Sequence, residues 1–193
     1  MIGRAFLILS IAFSGFLAGV SPAAADDATR VTMGGQPLTL MGETLRVGQP
    51  LPELRLPDRS LKWIDLKSLR GKVTILSTVP SLDTRVCEKQ THILSEKNSG
   101  LDKTANLVTI SRDLPFAQNR FAQEAKIGNI LFLSDYRDAD FGKATGLLIK
   151  ENRLLTRAVL VLDREGVIRY LEIVPDLGQL PAMQKAFDFA RGL

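Results

Sequence analysis

Cysteine is almost missing from this chain: among 193 residues there is one, Cys87. A single thiol excludes an internal disulfide. Histidine is equally scarce, with His92 alone, and one Cys with one His falls short of a zinc ligand set. The 25 Lys and Arg residues are scattered among 21 acids, for a formal charge of +4. Phosphate tracking needs a basic stripe, so no nucleic-acid partner is expected. There is no internal repeat, low-complexity tract or Gly/Ser-rich linker. With 45% apolar and 24% charged residues, the chain reads as one folded domain and not as a disordered segment.

A long hydrophobic span is also lacking. The apolar stretch Ala5–Val20 is interrupted by Ser10, Ser14, Gly15 and Gly19, whereas spanning a bilayer takes about 20 mostly apolar residues. Arg4 precedes it, and Ala23 and Ala25 satisfy the small-x-small rule. Residues 1–25 are therefore expected to be a signal peptide cleaved after Ala25, rather than a retained membrane anchor. Residues 26–193 form the mature domain, and the expected location is outside the cytoplasm, in a periplasm-like space.

What is present alternates between two periodicities. "TLRVGQPLPEL" (44–54) and "LKWIDLKSL" (61–69) predict strands or hairpins near the start. "GKVTILSTVP" (71–80) is a β-branched run that reads as a buried strand. "DTRVCEKQTHILSEKNSG" (83–100) reads as a helix, with Asp83 or Thr84 as N-cap and Gly100 as stop. A strand (105–111), a helix starting at Asp113–Pro115, a strand (129–135) and a short helix ending at Gly146 follow. A hairpin over 157–174, turning at Asp163–Gly166, and an amphipathic helix over 180–193 close the chain. This order predicts an α/β domain with a mixed central sheet flanked by helices and a β-hairpin near the N-terminus.

The helix start gives Cys87 its meaning. Backbone N–H groups in a first turn lack helical acceptors, and the positive end of the dipole favours an anion. An isolated cysteine is only a few per cent thiolate at neutral pH, and ionising most of it takes roughly 2.7 kcal/mol. The dipole supplies up to about 2 kcal/mol, so a cation, best an arginine, must supply the rest. Thr84, Gln90 and Thr91 lie at helical spacing on the same face. Three hydrogen-bonding neighbours favour a reactive thiol over an inert core cysteine. His92 is five positions on, about 140° around the helix, so a protease-like Cys/His pair is not expected.

Pro80, Thr84 and Cys87 match the P-x-x-x-T-x-x-C pattern of peroxiredoxins, thiol-dependent peroxidases on a thioredoxin-like fold. "VPSLDTRVCEKQT", "TISRDLPFAQNRF", "LSDYRDADFGKATGLLIK" and "LLTRAVLVLDREGVI" resemble the thiol peroxidase branch in particular. The similarity runs from about Thr39 to the last helix. It implies a thioredoxin-like fold without a cofactor or metal. It implies Cys87 as the peroxidatic cysteine and Thr84 as its hydrogen-bond partner. It also implies Pro80 as a shield against water and Arg137 as the cation, with a peroxide substrate and a homodimer in contact near the site.

The resemblance has gaps. In that branch a second cysteine usually follows the "RF" of the second helix and resolves the sulfenic acid; here Ala122 stands there. Thr145 stands where an aromatic is expected. A two-cysteine cycle is therefore closed to this chain, and resolution falls to an external thiol. Three readings remain: a one-cysteine thiol peroxidase, a redox sensor or thiol-binding protein that stops after one oxidation, and a disulfide reductase. The last normally wants C-x-x-C, and Thr84 occupies the partner position.

Overall fold

The computed structural model describes residues 30–193. The expected signal segment, residues 1–25, lies outside them. The described residues begin with a hairpin of β1 (Val31–Met33) and β2 (Gln36–Leu38), then β3 (Leu40–Met41). A second hairpin pairs β4 (Arg55–Pro57) with β5 (Trp63–Asp65). Next come β6 (Thr74–Thr78), α1 (Arg85–Glu96), β7 (Asn106–Ser111), α2 (Pro115–Glu124) and β8 (Leu131–Ser134). α3 (Asp140–Thr145), β9 (Leu148–Ile149), β10 (Ala158–Leu162), β11 (Ile168–Ile173) and α4 (Met183–Arg191) complete the order.

The central sheet runs β11-β10-β6-β7-β8. β6, β7 and β8 are parallel, while β10 is antiparallel to both β6 and β11. Every residue of β6 and β10 is buried, because both faces are covered. Side chains alternate across the sheet. Val73, Ile75, Val79, Leu107, Phe132, Val159 and Val161 therefore pack against α1, α2 and α4. Leu76, Val108, Ile110, Leu133, Leu160 and Leu162 face the other way, onto Phe141 of α3 and onto Leu45, Leu51, Leu56 and Leu66 of the N-terminal half. α1 sits directly behind the C-terminal end of β6, which brings Cys87 to the middle of the sheet's top edge.

Three local expectations change. Residues 44–54 form no strand: Pro50 and Pro52 cannot donate to a ladder. The segment is instead stitched down by Leu45, Gly48 and Leu51 N–H groups on Thr145, Ile168 and Gly166 carbonyls. α1 also ends at Glu96, before Gly100. Asn98 stops it: its Nδ2 donates to the Leu94 and Ser95 carbonyls, and its Oδ1 accepts from Gly100 N–H. Gly100, at φ +86°, then opens a 3-10 turn. In 61–69 the strand is confined to β5, and Asp65 caps a 3-10 turn, Leu66–Leu69.

Candidate active site

Cys87 is the third residue of α1 and is fully buried. Thr84 is the N-cap residue, with an extended backbone, yet its side chain makes no capping hydrogen bond. The hydroxyl turns to the sulfur instead, 2.9 Å from Cys87 Sγ, and also lies 3.1 Å from the Ser81 carbonyl. A hydroxyl has one proton and two lone pairs. It donates to a thiolate, or accepts from a thiol while donating to Ser81. Because the usual cap is missing, the first-turn N–H groups of α1 stay available to oxygens held near the sulfur.

The second partner of the sulfur is Arg157. Its Nη2 is 3.3 Å from Cys87 Sγ. The guanidinium is held on all sides: Nη1 donates to Gln90 Oε1 at 2.6 Å, and Nε and Nη2 donate to the Leu177 carbonyl at 3.1 and 2.9 Å. Gln90 is fixed in turn by a 2.7 Å bond from its Nε2 to Ser77 Oγ. Arg157 is only 2% exposed. Among the described residues its partners are an amide oxygen, a carbonyl and the sulfur, with no carboxylate. A buried charge without a counter-ion is costly, and the sulfur is the one partner able to carry negative charge.

Arg157 replaces Arg137, to which the sequence resemblance assigned this place. The Arg137 guanidinium lies over the Trp63 ring, 5.7 Å from its centroid. Register explains the substitution: Ala158 pairs with Thr78, so the residue before it falls beside the exit of β6, where the cysteine turn begins. The signal in sequence was a lone arginine heading the uninterrupted apolar strand "AVLVL". Pro80 is buried at that same exit. Gln90 and Thr91 are both fully buried, and the Thr91 hydroxyl donates to the Cys87 carbonyl at 2.9 Å. His92 points elsewhere, between Glu88 and Glu96, with its Nδ1 2.6 Å from Glu96. Ala122 is buried in the same core cluster as Cys87. Thr145 is buried, and its hydroxyl donates to the Phe141 carbonyl.

Comparison with known proteins identifies the family. The Redoxin family model matches residues 46–186. A thiol peroxidase of Bacillus subtilis is 42% identical over 163 residues, covering 84% of this chain and 97% of the relative. One from Listeria innocua is 41% identical, covering 84% and 98%. A peroxiredoxin-like protein from Aquifex aeolicus superposes with a TM-score of 0.80 at 34% identity, over 86% of this chain and 97% of the other. The chain belongs to the Redoxin family, within the thiol peroxidase branch of the peroxiredoxins.

Proposed function

We propose that the chain reduces hydrogen peroxide or organic hydroperoxides at Cys87 in a one-cysteine cycle completed by an external thiol. The observation that carries this reading is the buried Arg157 guanidinium, whose one ionisable partner among the described residues is Cys87 Sγ. The Cys87 thiolate attacks one peroxide oxygen. The S–O bond forms as the O–O bond breaks, and the departing oxygen takes a proton and leaves as water or alcohol. Sulfur is oxidised to sulfenic acid and the peroxide is reduced. Thr84 and Arg157 stand where they donate to the sulfur and to charge building on the peroxide, a fixed set of donors that need not reorganise during reaction.

The chain's 193 residues hold no second cysteine. An external thiol then attacks the sulfenic sulfur and expels water, giving a mixed disulfide. A second thiol releases Cys87 as thiol and leaves as the disulfide. Steady consumption of peroxide by the protein with excess 2-mercaptoethanol, lost in Cys87→Ser, tests the cycle. One turnover followed by arrest would favour the sensor reading instead.

Two further parts of the proposal rest on sequence. The leader-like residues 1–25 support export to a periplasm-like space, and a mature N-terminus at Asp26 would establish cleavage. The family resemblance supports a homodimer, which sedimentation equilibrium tests.

A further inference from the structure

Asp113 has no part in the chemistry just described, yet it holds the turn on which that chemistry depends. It lies two residues past the end of β7. Ser81 Oγ donates to its Oδ1 at 2.7 Å, and Leu82 N–H donates to its Oδ2 at 2.8 Å. The Ser111 hydroxyl, at the end of β7, donates to Oδ2 at 2.7 Å. The Asp113 carbonyl is itself anchored by the Ser134 hydroxyl at the end of β8. The carboxylate thus joins the Pro80–Thr84 turn to β7, and the backbone carbonyl of the same residue is tied to β8. Hydrogen bonds to a carboxylate are roughly twice as strong as neutral ones. Leu82 packs into the core; among the described residues, the other polar side-chain tie from this turn to a distant element is the Arg120–Asp83 ion pair. Its side chains are 60% and 61% exposed, and pairs of that kind contribute little.

We propose that Asp113 is a positioning residue for the peroxidatic turn, and that it sets the two halves of the cycle against each other. Holding Ser81 and Leu82 places Thr84 and the head of α1 against Arg157, the arrangement that reacts with peroxide. The same arrangement leaves Cys87 fully buried. An external thiol therefore reaches the sulfenic sulfur only when the first turn of α1 opens, and the Asp113 hydrogen bonds oppose that opening. Loosening the clamp slows oxidation and speeds reduction. This inference rests on the peroxidase reading above.

The test uses the whole chain and measures the half-reactions separately. Oxidation of reduced Cys87 by hydrogen peroxide is followed by rapid mixing and intact mass. Reduction of the sulfenic acid by 2-mercaptoethanol is followed in the same way. Asp113→Ala is expected to slow oxidation about 10- to 100-fold, as loss of the two charge-assisted bonds to the turn implies, while reduction becomes faster than in the wild type. Ser81→Ala removes one hydroxyl and keeps the Leu82 bond. It is expected to shift both rates in the same opposed directions by about two- to fivefold, so the proposal stays testable if Asp113→Ala folds poorly. Oxidation unchanged in both variants overturns the proposal. So does a parallel fall of both half-reactions, the mark of a merely structural residue. A wild-type chain that reacts no faster than a free thiol overturns the peroxidase reading itself, and the positioning role with it.

Discussion

Replacing Arg157 with alanine removes four hydrogen bonds from one buried point: one to Cys87 Sγ, one to Gln90 and two to the Leu177 carbonyl. The kinetic effect comes from the first. Losing a fixed donor to charge that develops in a transition state costs about 2.7–4 kcal/mol. At about 1.4 kcal/mol per factor of ten, peroxide oxidation of Cys87 should slow by roughly 10²- to 10³-fold. Stability falls as well, because Gln90 Oε1 and the Leu177 carbonyl lose their donor in a buried setting, at about 1–3 kcal/mol each. Removal of an uncompensated buried charge offsets part of that loss. Arg157→Lys keeps the charge without the planar fork that holds Gln90 and Leu177, and should fall between wild type and alanine. Arg137→Ala breaks only an exposed cation–π contact, worth about 0.5–1 kcal/mol, and should leave the rate within about twofold. Rapid-mixing oxidation at saturating reduction, beside thermal melts, reads both quantities. If Arg137→Ala slows the reaction more than Arg157→Ala, the assignment of the cation is wrong.

Three further outcomes are expected. Thr84→Val preserves shape but removes the hydroxyl at 2.9 Å from the sulfur; oxidation should slow by about tenfold or more while Thr84→Ser keeps most of the rate. Burial pushes the Asp163 carboxyl up, but the Val167 and Glu165 N–H groups and the Arg169 guanidinium outweigh it and hold it below the usual carboxylate value. Its contribution to stability is therefore present above about pH 4 and lost as pH falls through its lowered value; thermal melts of wild type and Asp163→Asn should converge in acid and separate at neutral pH. Burial, and then the hydrogen bond to Glu172, push the Tyr170 phenol up to about 12. Glu172→Gln should bring that phenol down in an ultraviolet titration. Because Glu172 also accepts from Ala182 N–H, the variant should loosen the segment that presents the Leu177 carbonyl to Arg157.

The sheet strands were legible because both faces of β6, β7 and β10 are buried, which leaves unbroken β-branched and leucine runs in the sequence. The start of the cysteine helix was legible from Asp83 and Thr84, of which Thr84 is the N-cap residue. The N-terminal segment was less so. Its apolar residues do face a core, but Pro50 and Pro52 prevent regular pairing, and burial without a ladder leaves no period to read. A β-hairpin near the N-terminus is present as expected, but β1–β2 lies ahead of the 44–69 segment that suggested it, with Gly34 and Gly35 in its turn at φ of +58° and +80°. Arg137 and Arg157 differ in a way that sequence spacing cannot express. Only the antiparallel register of β10 on β6 puts residue 157 beside a cysteine 70 positions away. Asp113 was read as a helix-start signal, which its position fits, but its carboxylate is occupied by the neighbouring turn and not by α2.

Burial and reactivity are linked in this site by the same few groups. Thr84 gives up its capping role to serve the sulfur, Gln90 spends both ends of its amide on Ser77 and Arg157, and Asp113 holds the turn from the far side. A chain with one cysteine has no internal route to relieve the oxidised state, so how readily this cluster opens sets how long the sulfenic acid persists and how exposed it is to further oxidation.

The most direct test follows the intact mass of the reduced chain through one equivalent of hydrogen peroxide and then excess 2-mercaptoethanol. The account predicts rapid gain of a single oxygen on Cys87, a transient mixed disulfide with the added thiol, and return to the starting mass, with none of these steps in Cys87→Ser. Oxidation at the rate of an ordinary free thiol, or an oxidised Cys87 that excess thiol never restores, would contradict it.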